Sequence, residues 1–284
     1  MEDLADNKES GNRVLWLTDT FEDHNGVSMV LQAMHKEIVE RHLPIDLLVC
    51  SNTLDSGKNL IVVKPVMEFT ISLYPQQPFR IPNLLHIRSV FRKGKYKRVV
   101  SSTEGPMGLA AMYLRKAYSV KTFFYLHTDW VMFAKQAMSM EEAGLRRLQR
   151  MMRIYYNRFD GIFVLNSDQQ KWLTGSLMKF DPGKVKLTAH WADIKLNDAL
   201  PLQPQSVKSI QTPFTLLYAG RISREKGVFE LPGIFRRVKE EFPLVRMKIV
   251  GKGPSEKELM ELFPEAEFTG WVAHDTLPEQ YSSA

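Results

Sequence analysis

The feature that most restricts this chain is a repeated pairing of an unbroken apolar run with a segment of helical spacing. Val14-Leu15-Trp16-Leu17 precedes apolar residues at Val27, Val30, Leu31, Met34 and Ile38, which predict a helix over 27–41. Further strands are expected at 45–50, 60–63, 99–100, 121–126 and 161–165. Helices are expected at 108–118 and 145–156, and at 168–174 with Ser167 as its cap. A strand that is apolar on both sides must be covered on both faces, which happens in a parallel sheet flanked by helices. The expected fold is therefore α/β of the doubly wound, Rossmann-like kind.

The pattern breaks once. Ala199–Pro213 carries Pro201, Pro204 and Pro213 among Gln and Ser, without an amphipathic period, and reads as a linker. Alternation then resumes, with strands expected at 214–219, 245–250 and 266–269 and helices at 227–241 and 255–262. The expected organisation is a tail (1–12), an N-terminal Rossmann-like domain (13–198), a linker (199–213) and a partial second domain (214–284).

Composition excludes several classes. With 44% hydrophobic and 25% charged residues over 284 positions, wholesale disorder and collagen-like repeats are ruled out. The one cysteine, Cys50, lies in the run Leu47-Leu48-Val49-Cys50, cannot form an internal disulfide, and fits a buried thiol in a reducing cytoplasm. No stretch is long and apolar enough to span a bilayer, and the acidic, polar first twelve residues do not read as a signal peptide. The net charge of +6 admits anionic partners, and no nucleic-acid-binding module is recognisable.

The sharpest chemistry lies after the linker. The segment 214–227 reads as a strand, a turn at Gly220, then Arg221, Arg224 and Lys226 ahead of an expected helix. Gly220 lets backbone approach closely, a helix N-terminus offers free N–H groups, and Arg221 with Lys226 supplies fixed positive charge, which together suit a diphosphate. The next strand ends in Gly251-Lys252-Gly253, half of a dinucleotide fingerprint with Glu256 where the third glycine would stand. Something, whether a ligand or another stretch of backbone, must come close to the tip of that strand. The incomplete fingerprint argues against a nicotinamide-dependent oxidoreductase, and no P-loop motif occurs.

In order and spacing, AGRISREKG (219–227), IVGKGPSEKEL (249–259) and FTGWVAHDTLPEQYSSA (268–284) resemble retaining glycosyltransferases of the GT-B fold, in family 4. DTFEDHNGVSMVLQAM (19–34), STEGPMGLAAMYL (102–114), FFYLHTDW (123–130) and FDGIFVLNSDQQKWL (159–173) agree with that family's first domain, so the resemblance covers about residues 13–284. It implies transfer of a hexose from a nucleotide sugar to a lipid, glycan or small acceptor, with retention of configuration and the nucleotide sugar as the donor substrate. It implies no separate cofactor and no metal. Arg221 and Lys226 would grip the donor diphosphate and stabilise the leaving nucleotide. Asn25, Gly26 and Val27 would face the donor phosphates, and His127 would contact the donor sugar near the reacting carbon. Gly220, Gly251 and Gly253 would flank the nucleotide, with Trp271 and Val272 near the base. Glu104, Asp129 and His190 are the acceptor-side candidates, and Glu104 reads equally as a helix-capping carboxylate.

Members of that family continue past the position matching Ala284 into a strand and a segment with two glutamates that hold the donor sugar and ribose. The expectation is a fragment truncated in its second domain, and the alternative is a catalytically incomplete piece of a larger protein that acts by binding. Asp19, Asp23 and His24 read as loop and cap residues in preference to a metal site. Two basic stretches, Arg88–Arg98 and Arg146–Arg158, interleave Arg and Lys with apolar and aromatic residues. They suit an anionic membrane surface, hence an enzyme peripheral at the inner membrane face, while the plainer reading is a helix with one solvated and one packed face.

Overall fold

The protein is represented by a computed structural model that describes residues 12–23, 25–71, 74–138, 140–189, 213–273 and 276–284. It divides into two compact units. The first takes in Met1–Met132 and Met140–Ala192, the second Phe133–Ser139 and Asp193–Ala284. The N-terminal tail, the linker, His24, His190 and Trp191 fall wholly or almost wholly outside the described residues.

The first unit runs β1 (Val14–Thr18), α1 (Gly26–Glu40), β2 (Ile45–Cys50), β3 (Leu60–Val63), β4 (Pro65–Ile71), β5 (Tyr74–Pro82), α2 (Leu84–Gly94), β6 (Arg98–Ser101) and α3 (Pro106–Tyr118). It continues with β7 (Lys121–Tyr125), the start of α4 (Trp130–Ala137, counted with the second unit from Phe133 on), α5 (Glu142–Tyr156), β8 (Gly161–Val164), α6 (Ser167–Thr174) and β9 (Val185–Leu187). Seven strands form one parallel sheet in the order β3-β2-β1-β6-β7-β8-β9. The chain moves from β1 towards β3, then returns to place β6 on the other side of β1. The switch point of the doubly wound fold therefore lies between β1 and β6, where ligands of such sheets bind beyond the strands' carboxyl ends.

Successive strand residues pack into different cores, as their unbroken apolarity requires. Leu15 and Leu17 meet Ile87 and Phe91 of α2 and Ala110 and Leu114 of α3. Trp16, Leu47 and Val49 meet Leu31, Met34 and Ile38 of α1. Phe124 and Val164 meet Met152, Tyr155 and Tyr156 of α5. Cys50 is buried in the first of these cores, and burial pushes its thiol up to about 12.

Several local expectations are corrected. The cap of α6 is Asn166, whose Oδ1 accepts the Gln169 N–H at 2.8 Å, so Ser167 is already inside the helix. The antiparallel hairpin β4–β5 and helices α2 and α4 have no counterpart in the pattern read from sequence. Arg80 on β5 fixes the hairpin to the loop after β1, with Glu22 at 3.2 Å, Glu68 at 3.6 Å and Asp23 at 3.9 Å around one guanidinium.

The second unit has β10 (Thr215–Ala219), α7 (Leu231–Glu241), β11 (Arg246–Val250), α8 (Glu256–Leu262), β12 (Glu267–Gly270) and α9 (Leu277–Ser282). Its three described strands are parallel in the order β10-β11-β12. Ile222, Val228, Phe235, Met247, Ile249 and Leu259 make its core. The helix expected from 227 starts instead at Leu231. Two 3₁₀ turns, Arg224–Lys226 and Val228–Glu230, precede it, joined by Gly227 at φ 68° in the left-handed region. Among the described residues, no helix of either unit is long and apolar enough to cross a membrane.

Candidate functional site

In the first unit, the residues singled out from sequence gather at the carboxyl ends of β1, β6 and β7. Asn25 closes the loop after β1 and caps α1: its Oδ1 accepts the Ser28 N–H at 2.9 Å, while its Nδ2 donates to Thr20 Oγ1 at 3.0 Å. Gly26 is the first helical residue and is exposed, with open space where a Cβ would stand; Val27 is half-buried behind it. The N-terminal N–H groups of α1 lie behind that open position, which suits an anion.

The switch point itself is bridged by Asp19. Its Oδ2 accepts from Thr103 Oγ1 at 2.6 Å, and its Oδ1 accepts the Met107 N–H at 2.9 Å. Asp19 on the β1 side thus caps α3 on the β6 side, a role the sequence reading offered to Glu104. The helix's own N-cap, Gly105, provides no side-chain bond, and a Cβ there would stand 2.6 Å from Asp19 Oδ2. Burial raises Asp19 to about 6 against the pull of these donors.

Glu104 has turned the other way. Tyr156 Oη at the end of α5 donates to its Oε1 at 2.7 Å, and Trp130 Nε1 at the start of α4 donates to its Oε2 at 2.8 Å. Burial raises this carboxyl to about 7, opposed by the two hydrogen bonds. One carboxylate therefore holds three elements together. Next to it Tyr155 Oη donates to the Thr103 carbonyl at 3.2 Å, passing over Gly108, where a Cβ would lie 2.0 Å from that hydroxyl.

His127 follows β7. Both its ring nitrogens are sealed from solvent, and its ring centroid lies 4.6 Å from that of Tyr125. Asp129, the other acceptor-side candidate, accepts the N–H groups of Val131 and Met132, both at 3.0 Å, and so caps α4. The acceptor-side candidate His190 lies outside the described residues.

In the second unit the strand tips meet backbone to backbone. Gly251, at φ 135°, would carry a Cβ 1.9 Å from the Gly220 carbonyl oxygen, and one on Gly253 would lie 2.0 Å from that of Ile222. Gly220 N–H donates to the Val250 carbonyl at 2.9 Å, Ile222 N–H to that of Lys252 at 3.1 Å, and Gly251 N–H to that of Gly270 at 2.8 Å. The neighbour that the two glycines accommodate is thus the Gly220–Ile222 turn. On that turn Arg221 is half-buried, and Tyr218 Oη donates to its carbonyl at 2.7 Å. Arg224 is taken by Glu258 at 2.5 Å and lies 4.6 Å over the Phe229 ring. Lys226 is exposed, with no carboxylate within ion-pair distance among the described residues. The N–H groups of Lys226 and Gly227 are already spent on the carbonyls of Ser223 and Arg224, so the free helix-start amides expected beside Lys226 are absent there. Its contribution to binding an anion is its charge. Trp271 is exposed and Val272 half-buried, just beyond Gly270 at φ 72°.

The chain resembles known proteins in sequence and in fold. The sequence profile of Glycosyltransferase Family 4 matches residues 24–195, more than half of the chain. An uncharacterized glycosyltransferase of Methanocaldococcus jannaschii is 26% identical over 111 residues, 38% of this chain and 27% of that protein. A GDP-mannose-dependent alpha-mannosyltransferase of Corynebacterium glutamicum is 33% identical over 107 residues, 37% of this chain and 21% of that protein. The matched stretches therefore span about a quarter and a fifth of those relatives. Anabaena HepE, solved with UDP and glucose, superposes with a TM-score of 0.62 at 16% identity, over 96% of this chain and 72% of its own. That likeness identifies the fold as GT-B.

Proposed function

The chain belongs to glycosyltransferase family 4, and from that premise we propose that it moves a hexose from a nucleotide-sugar donor to a lipid, glycan or small acceptor with retention of configuration. The observation that carries this reading is the Gly220–Gly227 turn. There Arg221 and Lys226 stand at the carboxyl end of β10, on a loop that the glycines just after β11 hold in place by backbone contact. Transfer from a nucleotide sugar builds positive charge at the sugar carbon and negative charge on the departing diphosphate. Fixed cations aimed at the leaving group are the stabilisation such a reaction needs most. Their positions favour Arg221 for the nearer contact, because its partial burial reduces screening, and Lys226 for the outer phosphate.

The proposed roles of the other residues follow their settings. Gly26 at the open start of α1 leaves amides for phosphate oxygens, His127 contacts the sugar by its side chain or a nearby carbonyl of its half-buried loop, and Trp271 with Val272 lies near the base. Asp129 is left as the cap of α4. The solved likeness with UDP and glucose and the GDP-mannose-dependent relative support a nucleoside-diphosphate sugar as donor. The basic stretches at 88–98 and 146–158 support a second part of the reading, peripheral attachment of a cytoplasmic enzyme to an anionic membrane surface.

The test is a panel of UDP-, GDP- and ADP-hexoses assayed by sugar transfer or slow donor hydrolysis, together with calorimetric binding of the free nucleoside diphosphates. Arg221→Ala and Lys226→Ala should each slow turnover by roughly 10²-fold, the range for a lost electrostatic donor. Unchanged rates in both variants would remove the diphosphate assignment. Binding of no nucleoside diphosphate by the unaltered protein would remove the donor reading altogether.

A further inference from the structure

Helix α5 does not divide into one packed and one solvated face. Leu145, Met152, Tyr155 and Tyr156 are buried, yet Met151 and Ile154 on the outward side are 55% and 54% exposed. Leu109 of α3, 59% exposed, faces the same space. Together they floor an open apolar groove of about 460 Å³ between the two helices, with Arg147, Arg150 and Arg158 at its rim. That volume is in the range of small-molecule sites, roughly 300–1,000 Å³.

The rim is not neutralised. Residues 144–159 contain five arginines and no acid. Glu142 pairs with Arg146 at 3.9 Å, and among the described residues no carboxylate comes within ion-pair distance of Arg147, Arg150, Arg153 or Arg158. A second cavity, about 370 Å³, adjoins the first through Ile154 and Arg158 and is lined by Arg153, Asn157 and Lys179. An apolar slot that opens into a cationic cup matches a molecule with an apolar tail and an anionic head. A solvated helix face explains neither the exposed Leu109, Met151 and Ile154 nor the clustering of unpaired guanidinium groups around them.

We propose that this pair of cavities seats one anionic phospholipid of a bilayer surface, its phosphate on Arg153, Arg158 and Lys179 and one acyl chain along Leu109, Met151 and Ile154. The site lies wholly in the first unit. It deepens, and rests on, the membrane-surface part of the reading above and is independent of the donor part.

Vesicle co-flotation tests it, using phosphatidylcholine mixed with the anionic phosphatidylglycerol against pure phosphatidylcholine. The protein should bind the anionic vesicles at least tenfold better. Arg153→Gln with Arg158→Gln and Lys179→Gln should lose about tenfold or more. Leu109→Gln with Ile154→Gln, which leaves every charge in place, should also lose about tenfold. Lys36→Gln with Arg41→Gln, at the C-terminal end of α1 and outside both basic stretches, should change binding less than twofold.

If the apolar pair binds like the unaltered protein, attachment is simple adsorption of charge: the membrane reading stands and the lipid seat is overturned. If the unaltered protein ignores anionic vesicles, both fall, while nucleoside-diphosphate binding remains a separate readout. A second measurement guards against misfolded variants. An environment-sensitive label on Ile154→Cys, with buried Cys50 staying unreacted, should shift its emission to the blue on anionic vesicles, and an unshifted emission overturns the proposal.

Discussion

The two units finish their parallel strands by opposite means. At the switch point of the first, side chains do the joining: Asp19 spans to Thr103 and Met107, and Glu104 gathers Tyr156 and Trp130. At the strand tips of the second, the absence of side chains does it, with Gly251 and Gly253 letting the Gly220–Ile222 turn bond directly to β11. A side-chain bridge brings titratable groups and can respond to pH. A backbone bridge is rigid, indifferent to pH and intolerant of any added atom.

The largest expected effect breaks the backbone bridge. Gly253→Ala places a methyl against a carbonyl that cannot move without uncoupling β10 from β11, and Gly251→Ala adds a strained φ of 135°. Each should cost about 3 kcal/mol or more, measured by urea unfolding, and should abolish nucleotide binding with it. A loss below about 1 kcal/mol would mean the tips are not locked.

Next is Gly108→Ala. It displaces the Tyr155 hydroxyl and crowds the Thr103 carbonyl, for roughly 2 kcal/mol. The accompanying Tyr155→Phe, which removes the nearer obstacle, should recover part of that loss in the double variant. Full additivity of the two changes would show that they do not meet.

A smaller effect separates the two bridges by pH. Glu104 is raised to about 7 and Asp19 to about 6, so the folded state holds protons that the unfolded chain releases near pH 4. Their contribution to stability is therefore fully present at low pH and declines as pH rises from about 4 to about 7. Glu104→Gln should flatten that decline and stabilise the protein at pH 8 by roughly 1–2 kcal/mol. Its carbonyl can keep the Trp130 bond while the Tyr156 hydroxyl turns to accept from the amide. Identical unfolding curves at pH 5 and pH 8 for the unaltered protein would contradict the raised values. The smallest effect belongs to Lys226→Ala, which should change stability by less than about 0.5 kcal/mol while impairing turnover. A large loss of stability would recast Lys226 as structural.

The sheet was legible because unbroken apolar strands advertise burial on both faces. Leu15, Trp16 and Leu17 needed no tertiary knowledge to be placed. The hairpin β4–β5 was not, because Pro65, Pro78 and Pro82 interrupt it and the partners that Arg80 finds, Glu22 and Asp23, lie far away in sequence. Helix α7 was started too early because Gly227 reads as a helix opening, whereas its left-handed φ closes one turn before another begins. The glycines after β11 signalled close approach correctly, but only coordinates show the approaching group to be backbone. Asp19 and Glu104 could be flagged as polar residues at strand ends. Their partners at 103, 107, 130 and 156 are set by topology, which one sequence does not display.

The place of β1 in the sheet bears on how the chain is made. Of the strands of this sheet it leaves the ribosome first, yet it is neither edge nor neighbour of an edge; β2 lies on one side and β6 on the other. The β2 side closes after some thirty residues (Val14 pairs Ile45), whereas the other waits for Arg98–Ser101. Throughout that interval of synthesis Leu15 to Thr18 present an open, apolar edge of the kind that recruits other chains. Between the emergence of β3 and that of β6 the chain therefore holds β1 paired on one side alone.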